Sequence, residues 1–204
     1  GPPPPLAVAA ANGQREAMRR LLGAGASLEA ADANGYTPLM AAVVNSQAAA
    51  AEELLEAGAK TEVFAAKCHA SPLFVAVGVL GEAEAAVGDR MAAALLAAGA
   101  STEAVDSNGM SPLMAACGSG RLEAVKLLIR GGAKLEYRDE AGINALWTAV
   151  LFQQAAVVRE LIHGGAKVDL DAEFDGHNFL GLASQLPHET RTLLNMASSQ
   201  DGSD

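Results

Sequence analysis

Histidine, cysteine and glycine are the residue types here whose spacing could serve metal binding, nucleophilic catalysis or phosphate binding, and none is arranged for it. The histidines stand at His69, His163, His177 and His188, and none pairs with a cysteine or carboxylate at metal-ligand spacing. Cys68 and His69 are adjacent, but side chains adjacent in sequence point in different directions and make no nucleophile–base pair. Cys117 follows the apolar run "PLMAA" and reads as a small packed side chain. The "GSG" at 118–120 lacks the trailing Gly-Lys-Ser/Thr of a phosphate loop. "GAGASL" at 23–28 has no strand before it and no helix directly after it, so it reads as a helix terminus and not a dinucleotide site. The expectation is a non-enzyme, with no catalytic residue, metal ligand or cofactor site.

The bulk properties narrow the remaining choices. Half of the 204 residues are apolar but only 4% are aromatic, so alanine and leucine must carry the packing, which favours short, close-packed helices. Fourteen basic against 24 acidic residues give a net charge of −10. Such a surface repels nucleic acid and anionic lipid and suits a partner protein carrying basic residues. Two cysteines are too few for a disulfide framework and suggest a reducing, intracellular compartment, cytoplasmic or nuclear, with an organellar lumen left open. No apolar run reaches the roughly 18 residues that span a bilayer. The opening "GPPP" reads as a proline-rich linker over residues 1–4 and not a signal peptide, and residues 199–204 read as a flexible tail.

Beneath the composition lies a period. Pro-Leu recurs at Pro5, Pro38, Pro72 and Pro112, with Ala145-Leu146 in the same register, at intervals of 33, 34, 40 and 33. Gly-Ala recurs at Gly25, Gly58, Gly99, Gly132 and Gly165, at intervals of 33, 41, 33 and 33. Two markers share one period, and both lengthen at the same place. Within one copy, Asn34-Gly35 marks a turn, Thr37 an N-cap, Pro38 the first helical position, and "LMAAVV" a short apolar helix. Asn45-Ser46 breaks the chain before a second helix with Leu54 and Leu55 on its buried face, and Gly58 supplies the left-handed cap. Neither helix is long enough to stand alone, so copies must stack.

These copies resemble the ankyrin repeat. The family's Thr-Pro-Leu-His signature is matched by "TPLMAA", "SPLFVA", "SPLMAA" and "NALWTA"; its leucine pair and turn by "LLGAGA", "LLEAGA", "LLAAGA", "LLIRGGA" and "ELIHGGA"; its hairpin by "DANG", "DSNG" and "DEAG". The resemblance covers residues 4–185 and implies an all-α solenoid of stacked helix-turn-helix units with short hairpin turns. It places six repeats at about 5–33, 34–67, 68–107, 108–140, 141–174 and 175–198, in one domain over 5–198. The signature histidine, understood in the family to tie neighbouring hairpins together, is replaced by Ala7, Met40, Phe74, Met114, Trp147 and Gly181, so burial and dispersion must substitute for it.

The third copy carries seven extra residues within 78–89, "GVLGEAEAAVGD", expected as a lengthened inner helix or a short protruding one, acidic through Glu82, Glu84 and Asp89. The resemblance implies a concave face of hairpin turns and inner-helix ends. Register assigns to that face Tyr36, Val44, Asn45, Val79, Met110, Ser119, Ile143, Leu151, Phe152 and His177, rimmed by Asp32, Asp106, Asp139 and Glu140. His69 occupies a hairpin slot where other copies carry glycine and reads as a turn or contact residue. Leu151-Phe152 is the strongest candidate, since two successive large apolar side chains on a short helix cannot both face inward. The implied function is recognition of a protein or peptide as an adaptor, targeting, inhibitory or dedicated chaperone domain, monomeric alone. The alternative is a structural or self-associating spacer whose apolar strip pairs with its own copy.

Overall fold

The computed structural model describes residues 2–64, 69–170, 173–174 and 177–201. Cys68 lies outside the described residues, as do the side chains of Val79, Glu82 and His177. The chain forms two compact units, Gly1–Asn108 and Gly109–Asp204.

In the first unit, α1 (Pro5–Ala11) and α2 (Arg15–Gly23) form one hairpin, and α3 (Pro38–Val44) and α4 (Ala48–Glu56) the next. A third pairs α5 (Pro72–Phe74) with α6 (Ala85–Ala97). In the second unit the pairs are α7 (Pro112–Gly118) with α8 (Leu122–Arg130), α9 (Ala145–Leu151) with α10 (Ala155–His163), and α11 (Phe179–Ala183) with α12 (His188–Asp201). The helix thus runs past residue 199, where the flexible tail was expected to begin. Inner helices pack on inner helices (α1 on α3, α7 on α9, α9 on α11) and outer on outer (α4 on α6, α8 on α10, α10 on α12). The fold is all-α, with one two-residue ladder among the described residues, β1 (Glu173–Phe174) against β2 (His177–Asn178).

The inner helices start where their caps tell them to. Thr37, Ser71, Ser111, Asn144 and Asn178 each accept a hydrogen bond from the backbone N–H three residues on, from Met40, Phe74, Met114, Trp147 and Gly181 in turn. In α3, α5 and α7 the next residue is proline, which has no N–H to leave unpaired. The side chains in the absent histidine's slot do become core: Ala7, Met40, Phe74, Met114 and Trp147 are all buried. A second device ties the repeats together. Glu29 accepts from the Lys60 N–H at 2.9 Å, Glu62 from Ser101 at 2.9 Å, and Glu136 from Lys167 at 2.8 Å. Each carboxylate reaches the same point of the following repeat, so part of the missing histidine's work is done by charge-assisted hydrogen bonds.

On the outer helices of the first unit, ion pairs bridge repeats: Arg15 and Arg19 both reach Glu53, at 2.8 and 2.7 Å, and Arg90 reaches Glu52. Burial acts to raise the Glu53 carboxyl, but hydrogen bonds from Arg15 and Arg19, and their charge, outweigh it and hold it below the usual carboxylate range.

The break between inner and outer helix needs a left-handed residue. Gly13 (φ 63°) and Gly120 (φ 68°) supply it in the first and fourth repeats, whereas Ser46 and Gln153, both at φ 57°, supply it in the second and fifth. The glycines also lie under a neighbour: a Cβ on Gly13 would meet the Gln47 side chain at 2.3 Å, and one on Gly120 the Gln154 side chain at 2.4 Å. After Ser46 the next break is rebuilt by the insertion and has no glutamine. Ser46→Gly is therefore expected to be neutral or to raise stability by up to about 1 kcal/mol, relief of the left-handed strain being partly offset by glycine's chain entropy. A urea midpoint that falls clearly below wild type would contradict this.

The seven extra residues take a different form from the one expected. The inner helical run, Pro72–Val79, is only one residue longer than the seven of α3, α7 and α9, and among the described residues no separate α-helix protrudes. After three α-helical residues the chain widens into a π-helical turn, Val75–Val79, bends at Leu80, and makes a 3-10 turn over Glu82–Glu84. It then enters an outer helix of 13 residues where α2, α4, α8 and α10 have 9. The reason is local. The residues from Ala85 to Met91, mostly good helix formers and with Gly88 the one weak position, run straight into "AAALLA", and extending a formed helix gains one hydrogen bond per residue fixed. Gly81 and the extended Leu80 (ψ 137°) stop the same thing happening from the inner side.

Candidate partner-binding face

The hairpin turns are set by aspartates. Asp32 accepts hydrogen bonds from the N–H groups of Asn34 (2.8 Å) and Tyr36 (2.9 Å), and Asp139 from those of Ala141 (3.0 Å) and Ile143 (2.9 Å). Asp106 likewise accepts from Asn108 at 2.9 Å. The carboxylates expected as an acidic rim therefore also build the turns. They fix Tyr36 and Ile143, which are half-buried, as is Met110.

The inner-helix ends are more open. Val44, the last residue of α3, is 37% exposed; Leu151, the last of α9, is 37% exposed, and Phe152 beside it is 56% exposed. The Phe152 ring lies over Gly118 of the preceding repeat, 3.6 Å from where a Cβ would stand. One edge of that ring is supported and the other is free. Asn45 and Ser119 are exposed C-caps of α3 and α7, the Asn45 amide bonding back to the Ala41 carbonyl at 2.8 Å. In the insertion, Glu84 and Asp89 are half-buried.

Three of these residues meet in one place. Tyr36, Val44 and Glu84 share a pocket of about 570 Å³ in the first unit, together with Met40, Phe74, Val75 and Leu80. The last four did not stand out in the sequence as site residues. A signal was present: Met40 and Phe74 occupy the signature's histidine slot in the second repeat and in the third, which carries the insertion, so two large apolar side chains stand where a polar one is usual.

The residues that could have done chemistry are dispersed. Cys117 is buried in α7, and burial pushes its thiol far above the usual range, so it stays a neutral packed group. His69 is exposed, left-handed (φ 53°), and stacked on Phe64 with ring centroids 4.7 Å apart. His163 ends α10 and His188 opens α12, both exposed. Among the described residues no group of three or more His, Cys, Asp or Glu is placed to hold a metal ion, and no helix is long and apolar enough to cross a membrane.

A family model describing ankyrin repeats (three copies) matches residues 2–78 and 82–172, and the match breaks inside the insertion. A search of curated proteins returned no match. Among solved structures the chain is similar to an ankyrin repeat domain from Acinetobacter baumannii AYE, with a TM-score of 0.82 and 27% identity over 95% of this chain and 97% of that one.

Proposed function

The chain belongs to the ankyrin-repeat family, whose members are generally protein–protein interaction modules, and from this we propose that it is a non-catalytic recognition domain binding a partner protein on its inner-helix face. The observation that carries this reading is the exposure of Val44, Leu151 and Phe152 at the C-terminal ends of inner helices. An inner-helix end is next to the hairpin-and-helix face and costs the fold little to leave open, so large apolar side chains there serve as interface anchors better than as core. The −10 net charge favours a partner with basic residues around its apolar contacts. An adaptor, targeting, inhibitory or dedicated chaperone role inside the cell is consistent with this surface. In each role the domain holds a partner without transforming it.

The test is capture of a partner from native extract by wild type and by Leu151→Glu/Phe152→Glu, with thermal melts of both. The double variant is expected to melt within about 1 kcal/mol of wild type, because both side chains are already partly in water. It is expected to lose affinity by about 30-fold or more, as removal of an interface anchor does. A partner retained in full by the double variant would refute the assignment of this face. Recovery of the chain alone, with a concentration-dependent dimer abolished by the substitutions, would establish the self-associating spacer instead.

A further inference from the structure

We propose that the insertion in the third repeat builds an anchor pocket for a basic–apolar peptide segment: one large apolar side chain of the partner enters the pocket, and an arginine or lysine close to it in the partner meets Glu84. This rests on the recognition reading above and adds to it the chemistry of the partner and the place where that chemistry is read.

Three observations converge. The pocket, about 570 Å³, is walled by Tyr36, Met40 and Val44 of the second repeat and by Phe74, Val75 and Leu80 of the third, a volume and lining suited to a buried side chain. Leu80, Gly81 and Glu84 all belong to the inserted stretch, which follows the π-helical turn Val75–Val79, a departure from regular helix that recurs at functional sites. The insertion is therefore part of the pocket wall and not a loop displayed elsewhere. Glu84, finally, is half-buried at this apolar wall, and no basic residue pairs with it among the described residues. Gly81 gives it room, since a Cβ there would stand 3.0 Å from Glu84 Oε2.

A carboxylate that has lost part of its hydration beside apolar surface is better satisfied by a cation than by the water it retains. Asp106, on the same pocket, is engaged in its own hairpin, accepting hydrogen bonds from the Asn108 N–H and side-chain amide, so the selecting carboxylate is Glu84. An apolar pocket alone admits any apolar side chain. Glu84 turns it into a selector, favouring an anchor flanked by Arg or Lys and disfavouring one flanked by Asp or Glu.

The experiment is a titration of the 15N-labelled full chain, followed by NMR so that weak binding is still measured. The probes are short Gly-Ser peptides carrying one Phe or Leu and, within a few residues, Arg, Gln or Glu. The Arg peptides are expected to shift the resonances of Val44, Ser46, Val75 and Gly81 and to bind about ten-fold tighter than the Gln peptides, with the Glu peptides weakest. Glu84→Gln, an isosteric change, should bring the Arg and Gln peptides to within about two-fold of each other while leaving the Gln peptides' affinity as it was. Val44→Asn, which removes apolar wall without adding charge, should weaken every peptide, with a thermal melt to check the fold. An Arg preference that survives Glu84→Gln overturns the proposal, as does an absence of shifts at the pocket with all the peptides. The outcomes separate from those of the wider reading. If Leu151→Glu/Phe152→Glu abolishes partner capture and the pocket binds no peptide, the domain still recognises a protein and only the anchor pocket is lost.

Discussion

Truncating Leu54 to alanine is expected to lower the unfolding free energy by about 2–5 kcal/mol, whereas the same change at Leu55 lowers it by about 1 kcal/mol or less. The two residues are neighbours in one repeated motif and have the same chemistry, so the difference isolates position. Leu54 is buried on the side of α4 that packs against α3 and α6. Its removal leaves a cavity that short alanine-rich helices have little side-chain volume to refill. Leu55 is half-buried beside an open groove shared with Glu52, Ala94 and Ala98, where water replaces the lost methyls. Each repeat is stabilised chiefly by its neighbours, so the Leu54 defect weakens the packing of α4 on both sides. Urea unfolding followed by circular dichroism measures both variants, and equal losses would show that the open groove does not set the difference.

The second large effect is expected at Trp147. It stands in the histidine slot of the fifth repeat, 5% exposed, with its ring 5.3 Å from that of Phe179 at a 40° tilt. It thereby couples α9 to α11, the short inner helix of the last repeat. Trp147→Ala should cost about 3–5 kcal/mol, the usual range for deleting a buried aromatic. Trp147→Phe should cost within about 1 kcal/mol. The smaller ring loses contact area, but it also removes an indole N–H that is buried with no hydrogen-bond acceptor among the described residues. If the phenylalanine variant proves as unstable as the alanine one, the N–H has a partner that stabilises it. Because Trp147 is the chain's one tryptophan, its emission also reports unfolding of the second unit specifically in otherwise unaltered protein.

The division between what could be read along the chain and what could not follows the range of each interaction. Thr37, Ser71 and Ser111 cap helices that begin one residue later, and their bonds close over three residues. Gly58, Gly99 and Gly132 end outer helices with φ of 86–90° because only the local backbone demands it. Spacing and residue type therefore determined by themselves the period, the helix-turn-helix unit and the need to stack. The exposure of Leu151 and Phe152 was also legible, because seven helical residues have one inward face and its places were already filled.

Tertiary structure decided the rest. Whether Leu54 or Leu55 is the deeper leucine depends on where α6 lies, and the bonds from Glu29, Glu62 and Glu136 close over 31 to 39 residues, onto backbone groups that carry no mark in the sequence. The insertion was visible as extra length, but its form was not. A run of helix formers can extend either helix it joins, and the choice fell to the outer one because Leu80 and Gly81 interrupt the inner. That choice brings Glu84 to Tyr36, Val44 and Phe74, residues up to 48 positions away, and makes a pocket from parts that separately read as a turn, a helix end and a missing histidine.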